Sequence, residues 1–188
     1  MVKAGSAHRL IDLSQEDKDN SRTTPFGLFN YADSFWRAAW PLQRASKNLA
    51  TTHRDAPVSF LYYHAIELYL KSFLRHHGIS VAELRGKKFG HDVSRLSKCA
   101  EILGLFLMDE DKEVFALMDP WTVLRARFIR TGPFTVASPQ ALDRTCKSLR
   151  DSIAKVLKTG GLTVRSVRRL SRPSKKRAPL EMVKSTVL

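Results

Sequence analysis

The 188-residue chain is poor in several things, and each shortage excludes something. It holds two cysteines, Cys99 and Cys146, far apart in sequence. A disulfide-stapled secreted scaffold is thereby excluded, and buried free thiols in a reducing cytoplasm are expected. No apolar run approaches the ~20 residues that a membrane-crossing helix needs. The opening MVKAGSAHRLIDLSQEDKDNSRTT lacks the apolar stretch of a secretory signal. The chain therefore reads as cytoplasmic, with no membrane insertion. Sustained two-residue alternation between hairpin turns is missing, so a sheet is not expected. Also missing are a Gly-rich phosphate loop, a dinucleotide fingerprint and H-E-x-x-H. No two histidines stand four apart on one helix and the cysteines do not pair at ligand spacing, so neither a metal nor a cofactor is expected.

Acids are scarce as well. Eighteen Asp and Glu against 32 Lys and Arg leave a net charge of +14, which favours polyanionic partners such as RNA. The charge is uneven: residues 162–188 hold eight Lys/Arg and one acid, so half of the excess lies in the tail. A solvated extension and a polyanion-binding tail both fit that composition.

What is present is helical periodicity. Residues 1–25 mix charges, Ser and Thr without a period and read as a flexible arm closed by Pro25. In residues 27–50, Phe29, Phe35, Trp36, Ala39, Trp40 and Leu42 recur at three- and four-residue spacing, predicting a helix that Pro41 kinks or splits. Residues 56–78 carry Pro57 at a first turn and Gly78 at a stop, with apolar residues on nearly all sides between them, the pattern of a central helix. A short turn over Val81–Leu84 is expected next. A helix over 90–104 follows, capped by His91 or Asp92, with Val93, Leu96, Ala100 and Leu103 as its apolar face. Acidic residues 109–113 open another helix, which restarts at Pro120 and ends at Gly132-Pro133. Ser138 caps a last helix from Pro139 to about Lys158, with Leu142, Leu149, Ile153 and Leu157 inward. The sum is an all-α bundle of about five helices over residues 26–160, between the arm 1–25 and a disordered basic tail 161–188.

Only one polar stripe interrupts the central helix: His64, Glu67, Lys71 and Arg75, which fall along one side. Glu67 precedes Lys71 by four, the favourable order for an ion pair. The segment YYHAIELYLKSFLRHHG, then LRGKKFGHDVSRLSKCAEILG, then VLRARFIRTG resembles bacterial HEPN-type proteins (higher eukaryotes and prokaryotes nucleotide-binding). The matching positions are His64, Ala65, Glu67, Leu68, Leu70 and Lys71; then Gly90, His91, Asp92 and Val93; then Arg127 and Phe128. Val93 stands for a usual Leu, and Phe128 for a Tyr, which removes a hydroxyl. The resemblance covers roughly residues 30–158. It implies a compact helical bundle that often dimerises, and that serves as an RNase, as an RNA or nucleotide binder, or as the helical partner of another protein.

Nuclease members carry Arg, four to six residues, then His. The one match here is Arg85 with His91, where the Arg would steady phosphate charge and the His would move the proton of a 2′-hydroxyl without a metal. Because Gly86 and Gly90 place this pair in a loop, His91 as a mere helix cap is the competing reading. If the three elements converge as the resemblance implies, Glu67, Lys71, His91, Asp92 and Arg127 meet between helices. They then form either a phosphate or nucleotide pocket or an ion-pair network that fixes helix register. Three functions stay open: RNA or nucleotide binding, metal-independent RNA cleavage, and a non-catalytic helical interaction module or homodimer.

Overall fold

In the computed structural model, residues 17, 18, 20–46, 48, 53–118, 134–159 and 183–185 are described, the last three and residue 134 by backbone alone. Residues 17, 18 and 20–22 are helical, and six further helices follow: α1 Pro25–Ser46, α2 Ala56–His76, α3 Val81–Arg85, α4 Val93–Ile102, α5 Asp109–Ala116 and α6 Pro139–Thr159. Two short strands join them, β1 Phe134–Val136 and β2 Val183–Ser185. The architecture is an all-α bundle, and none of the described helices is long and apolar enough to cross a membrane.

The centre is α2, which packs against α1, α4 and α6. Tyr62, Ile66, Tyr69, Leu70, Phe73 and Leu74 of this helix are under 2 % exposed, each contributing about 1.5–3 kcal/mol of burial. Pro57 stands in its first turn. Its end is a left-handed stop at Gly78, with φ +87°: the amide of Gly78 donates to Arg75 O at 3.2 Å and that of Ile79 to Leu74 O at 3.1 Å. The same two-bond stop recurs after α4 at Gly104, where Leu105 N donates to Ala100 O at 2.9 Å. In α6, Leu142, Leu149, Ile153 and Leu157 all face the core, and Ser138 Oγ accepts the amide of Ala141 at 3.2 Å as the cap.

Three details differ from the sequence reading. First, α1 starts at Pro25, because Thr24 Oγ1 accepts the amide of Gly27 at 3.0 Å and Pro25 needs no amide bond in a first turn. Pro41 lies within α1 without dividing it. Second, Asn20 and Thr23, which fall in the expected arm, are bonded to the bundle. Arg75 Nη2 donates to Asn20 O at 2.9 Å and Nε to Thr23 O at 3.2 Å, while Asn20 Oδ1 accepts the amide of Val81 at 2.9 Å. Third, β1 and β2 pair antiparallel, with Thr135 opposite Lys184, so a three-residue piece of the expected disordered tail is in a ladder. Three residues are too few to show alternation, and the partner is remote in sequence. The expected restart at Pro120 and the residues around Arg127 lie outside the described residues.

Candidate functional site

The stripe on α2 is divided among three environments. His64 packs edge-on against Phe35 of α1, with ring centroids 4.4 Å apart, and stacks with Phe60 at 6.1 Å. Arg75 grips backbone carbonyls, as described above. Between them, Glu67 and Lys71 form a buried ion pair of 2.7 Å, with side chains 3 % and 11 % exposed. His91 approaches from the turn before α4, its Nδ1 lying 3.0 Å from Glu67 Oε2 and 3.2 Å from Oε1. The Glu67 carboxylate therefore receives an ammonium from its own helix and an imidazole from the next element.

This arrangement brings together Glu67, Lys71 and His91 from the sequence-derived set. Asp92 is committed elsewhere: Oδ1 accepts the amide of Arg95 at 2.9 Å and Oδ2 pairs with Arg95 Nε at 3.0 Å, making Asp92 the cap of α4. Arg85 closes α3 on the exposed surface. Arg127 lies outside the described residues. Chemically, the Glu67 carboxylate neutralises the Lys71 ammonium beside it, so the triad is a weak anion trap. It does fasten the middle of α2 to the start of α4. The His91 side chain is 37 % exposed and has one described partner, through Nδ1, so its other edge is accessible. A carboxylate bound to Nδ1 favours the tautomer whose Nε2 accepts protons.

Two buried carboxylates escaped the sequence reading. Asp33 of α1 accepts from Tyr69 Oη at 2.5 Å and from Arg150 Nε of α6 at 3.0 Å, with Arg37 Nη2 3.8 Å away. It joins the three largest helices at one point. Burial and the neighbouring Asp33 charge push the Tyr69 hydroxyl far above its ordinary range, so it remains a donor. Asp111 of α5 accepts from Ser148 Oγ at 2.7 Å and from the amide of Met108 at 3.2 Å. Burial raises its carboxyl above the ordinary aspartate value. Nearby, Cys146 is fully buried beneath the Tyr62 carbonyl, and burial holds its thiol protonated. Among the described residues, no three His, Cys, Asp or Glu side chains converge as metal ligands.

The outer face of α6 carries the other unanticipated feature. Arg144, Lys147, Lys155 and Lys158 are exposed at spacings of 3, 8 and 3, which places them on one side of the helix, opposite the buried leucines. Asp151 is the one acid within this ridge and pairs with Lys147. At ~1.5 Å of rise per residue the ridge is roughly 21 Å long, and it leads directly into the basic tail. The polar positions of the last amphipathic helix held the signal; reading that helix only for its apolar face passes over it. Comparison with family models, curated proteins and solved structures finds no match for this chain.

Proposed function

We propose that the protein is a HEPN-like helical bundle that binds RNA, with the basic face of α6 and the tail that follows it as the binding surface. The observation that supports this most is the ridge itself: four exposed cations on one helical face, one acid among them, continuous with a segment holding eight more Lys/Arg. Lys and Arg so placed neutralise backbone phosphates and release counterions, giving affinity with little dependence on base sequence. The Glu67, Lys71 and His91 triad stands in this reading as the lock between α2 and α4, not as the phosphate pocket.

The test is fluorescence anisotropy of a labelled single-stranded RNA at increasing salt. Binding by the full chain should weaken steeply with salt. Replacing Arg144, Lys155 and Lys158 together by Ala should lower the salt slope by about 2, since each phosphate of a single strand left without its cation accounts for about 0.7. An unchanged affinity and slope in this triple variant would remove α6 from the interface.

A second reading has one specific observation in its favour. His91 is half-exposed, with Nδ1 held by a buried carboxylate 3.0 Å away, and Arg85 is on the surface six positions earlier. That is the geometry of an oriented general base, and it suits metal-independent RNA cleavage. Cleavage in the presence of a chelator that disappears in His91→Ala would establish it; cleavage untouched by that substitution would end it.

A further inference from the structure

Among the described residues, one strongly acidic stretch of this basic chain also carries most of the exposed large hydrophobic side chains. Residues 101–113 contain five acids and one lysine, a net −4 within a total of +14. Among the described residues, three of the four large hydrophobic side chains that are exposed fall in the same stretch: Ile102 at 85 %, Phe106 at 76 % and Met108 at 43 %.

These side chains are held outward by the fold. After the Gly104 stop the chain runs extended into α5, and its residues alternate. Leu105 and Leu107 are buried in the core at 3 % and 7 % exposure, which turns Phe106 and Met108 to solvent. The far end is pinned where the Met108 amide donates to Asp111, itself bonded to Ser148 of α6. The result is a pre-formed open groove of about 660 Å³, with Phe106 and Met108 along it and Glu101, Asp109 and Glu110 at its rim. Lys112 spans the rim, 2.7 Å from Glu101 and 3.8 Å from Asp109, so a cation already occupies the position that the acids favour. None of the residues lining the groove belongs to the Glu67 triad or to the α6 ridge.

We propose that this groove receives a basic amphipathic segment of a partner polypeptide. Its apolar side chains would rest against Phe106 and Met108, and its Lys or Arg residues against Glu101, Asp109 and Glu110. Charge complementarity selects this occupant: exposed apolar side chains set among carboxylates repel nucleic acid and acidic peptides and attract a cationic helix face. A backbone anchored by the buried Leu105 and Leu107 also lowers the ordering cost of binding. The groove is independent of the RNA-binding surface, and either assignment can fail without the other.

The test uses the isotopically labelled full chain, titrated with a short synthetic helix of leucine and lysine whose leucines recur at three- and four-residue spacing. The control is a matched peptide of leucine and glutamate. Signals of Phe106 and Met108 should shift saturably with the lysine peptide alone, and less so at high salt. The double variant Phe106→Ser, Asp109→Lys should bind roughly tenfold or more weakly; both positions are exposed, and an unchanged circular dichroism spectrum checks that the fold persists. The proposal is overturned by absence of a saturable shift, or by an equal response to the glutamate peptide. A dimer in sedimentation that Phe106→Ser converts to monomer also overturns it, because the occupant is then a second copy. So does a shift of the Phe106 signals, without peptide, when Arg165, Arg168, Arg169 and Arg172 are replaced by Ser, because the occupant is then the chain's own tail.

Discussion

The Asp33 group, where α1, α2 and α6 meet, and the Glu67 group, between α2 and α4, solve one problem with different tolerance. In each, a buried carboxylate is neutralised by a basic side chain and bonded to a further group. Asp33 draws its partners from three helices, and Arg150 is only 20 % exposed. Glu67 draws one partner from its own helix and one, His91, from a half-open turn. A carboxylate tied across three helices fixes their mutual register, whereas one tied to a helix and a turn leaves an edge accessible to solvent. That accessible edge makes the Glu67 group, and not the Asp33 group, the place to test for chemistry.

The comparison is broken most severely by Asp33→Ala. It leaves Arg150 without its main carboxylate and the Tyr69 hydroxyl without an acceptor, both largely buried, so stability should fall by about 3–5 kcal/mol. Chemical denaturation measures this, and a loss below about 1 kcal/mol would show that water replaces the carboxylate. Glu67→Gln should cost less, about 2–3 kcal/mol by the same measurement, because Lys71 has a long, flexible stem that can carry its charge outward. A loss as large as that of Asp33→Ala would make the two groups equivalent.

A third acid sharpens the contrast, since Asp111 has hydroxyls and an amide around it but no cation among its described partners. Burial, the largest influence, raises its carboxyl above the ordinary aspartate value, so the folded state holds this proton more tightly than the unfolded chain does. Its contribution is then fully present below the unfolded value and is lost as pH rises through the higher folded value. The stability of Asp111→Asn relative to the natural chain should therefore increase from about pH 4 towards neutrality. Denaturation of both proteins at the two pH values checks this, and a difference independent of pH would refute it. This is the smallest of the three effects.

Which of these groups can be read in advance follows from how local each is. The central helix, its Pro57 start and Gly78 stop, and the Glu67–Lys71 pair all rest on neighbours within a few positions, and the structure contains them where the spacing puts them. His91 joining Glu67 is less local: the two stand 24 positions apart, and helical spacing alone does not bring them together. Asp33 is not: in NYADSFWR it looks like an ordinary polar position, and its partner Arg150 lies 117 residues away. The pairing of β1 with β2 is hidden for the same reason. The acidic groove falls between the two cases. Its acids read as helix-opening charge, yet the outward turn of Phe106 depends on Leu105 and Leu107 finding the core.

The grip of Arg75 on the segment before α1 sets where the folding unit begins. A chain trimmed to start at residue 26 would surrender the carbonyls of Asn20 and Thr23, the side chain that receives the Val81 amide, and the Pro25 carbonyl that accepts the Ser72 hydroxyl. The end of α2 and the start of α3 would then both face vacated positions. The independent unit thus begins no later than Asn20, and what looks in the alphabet of residues like a loose leader is the clasp that closes one end of the bundle.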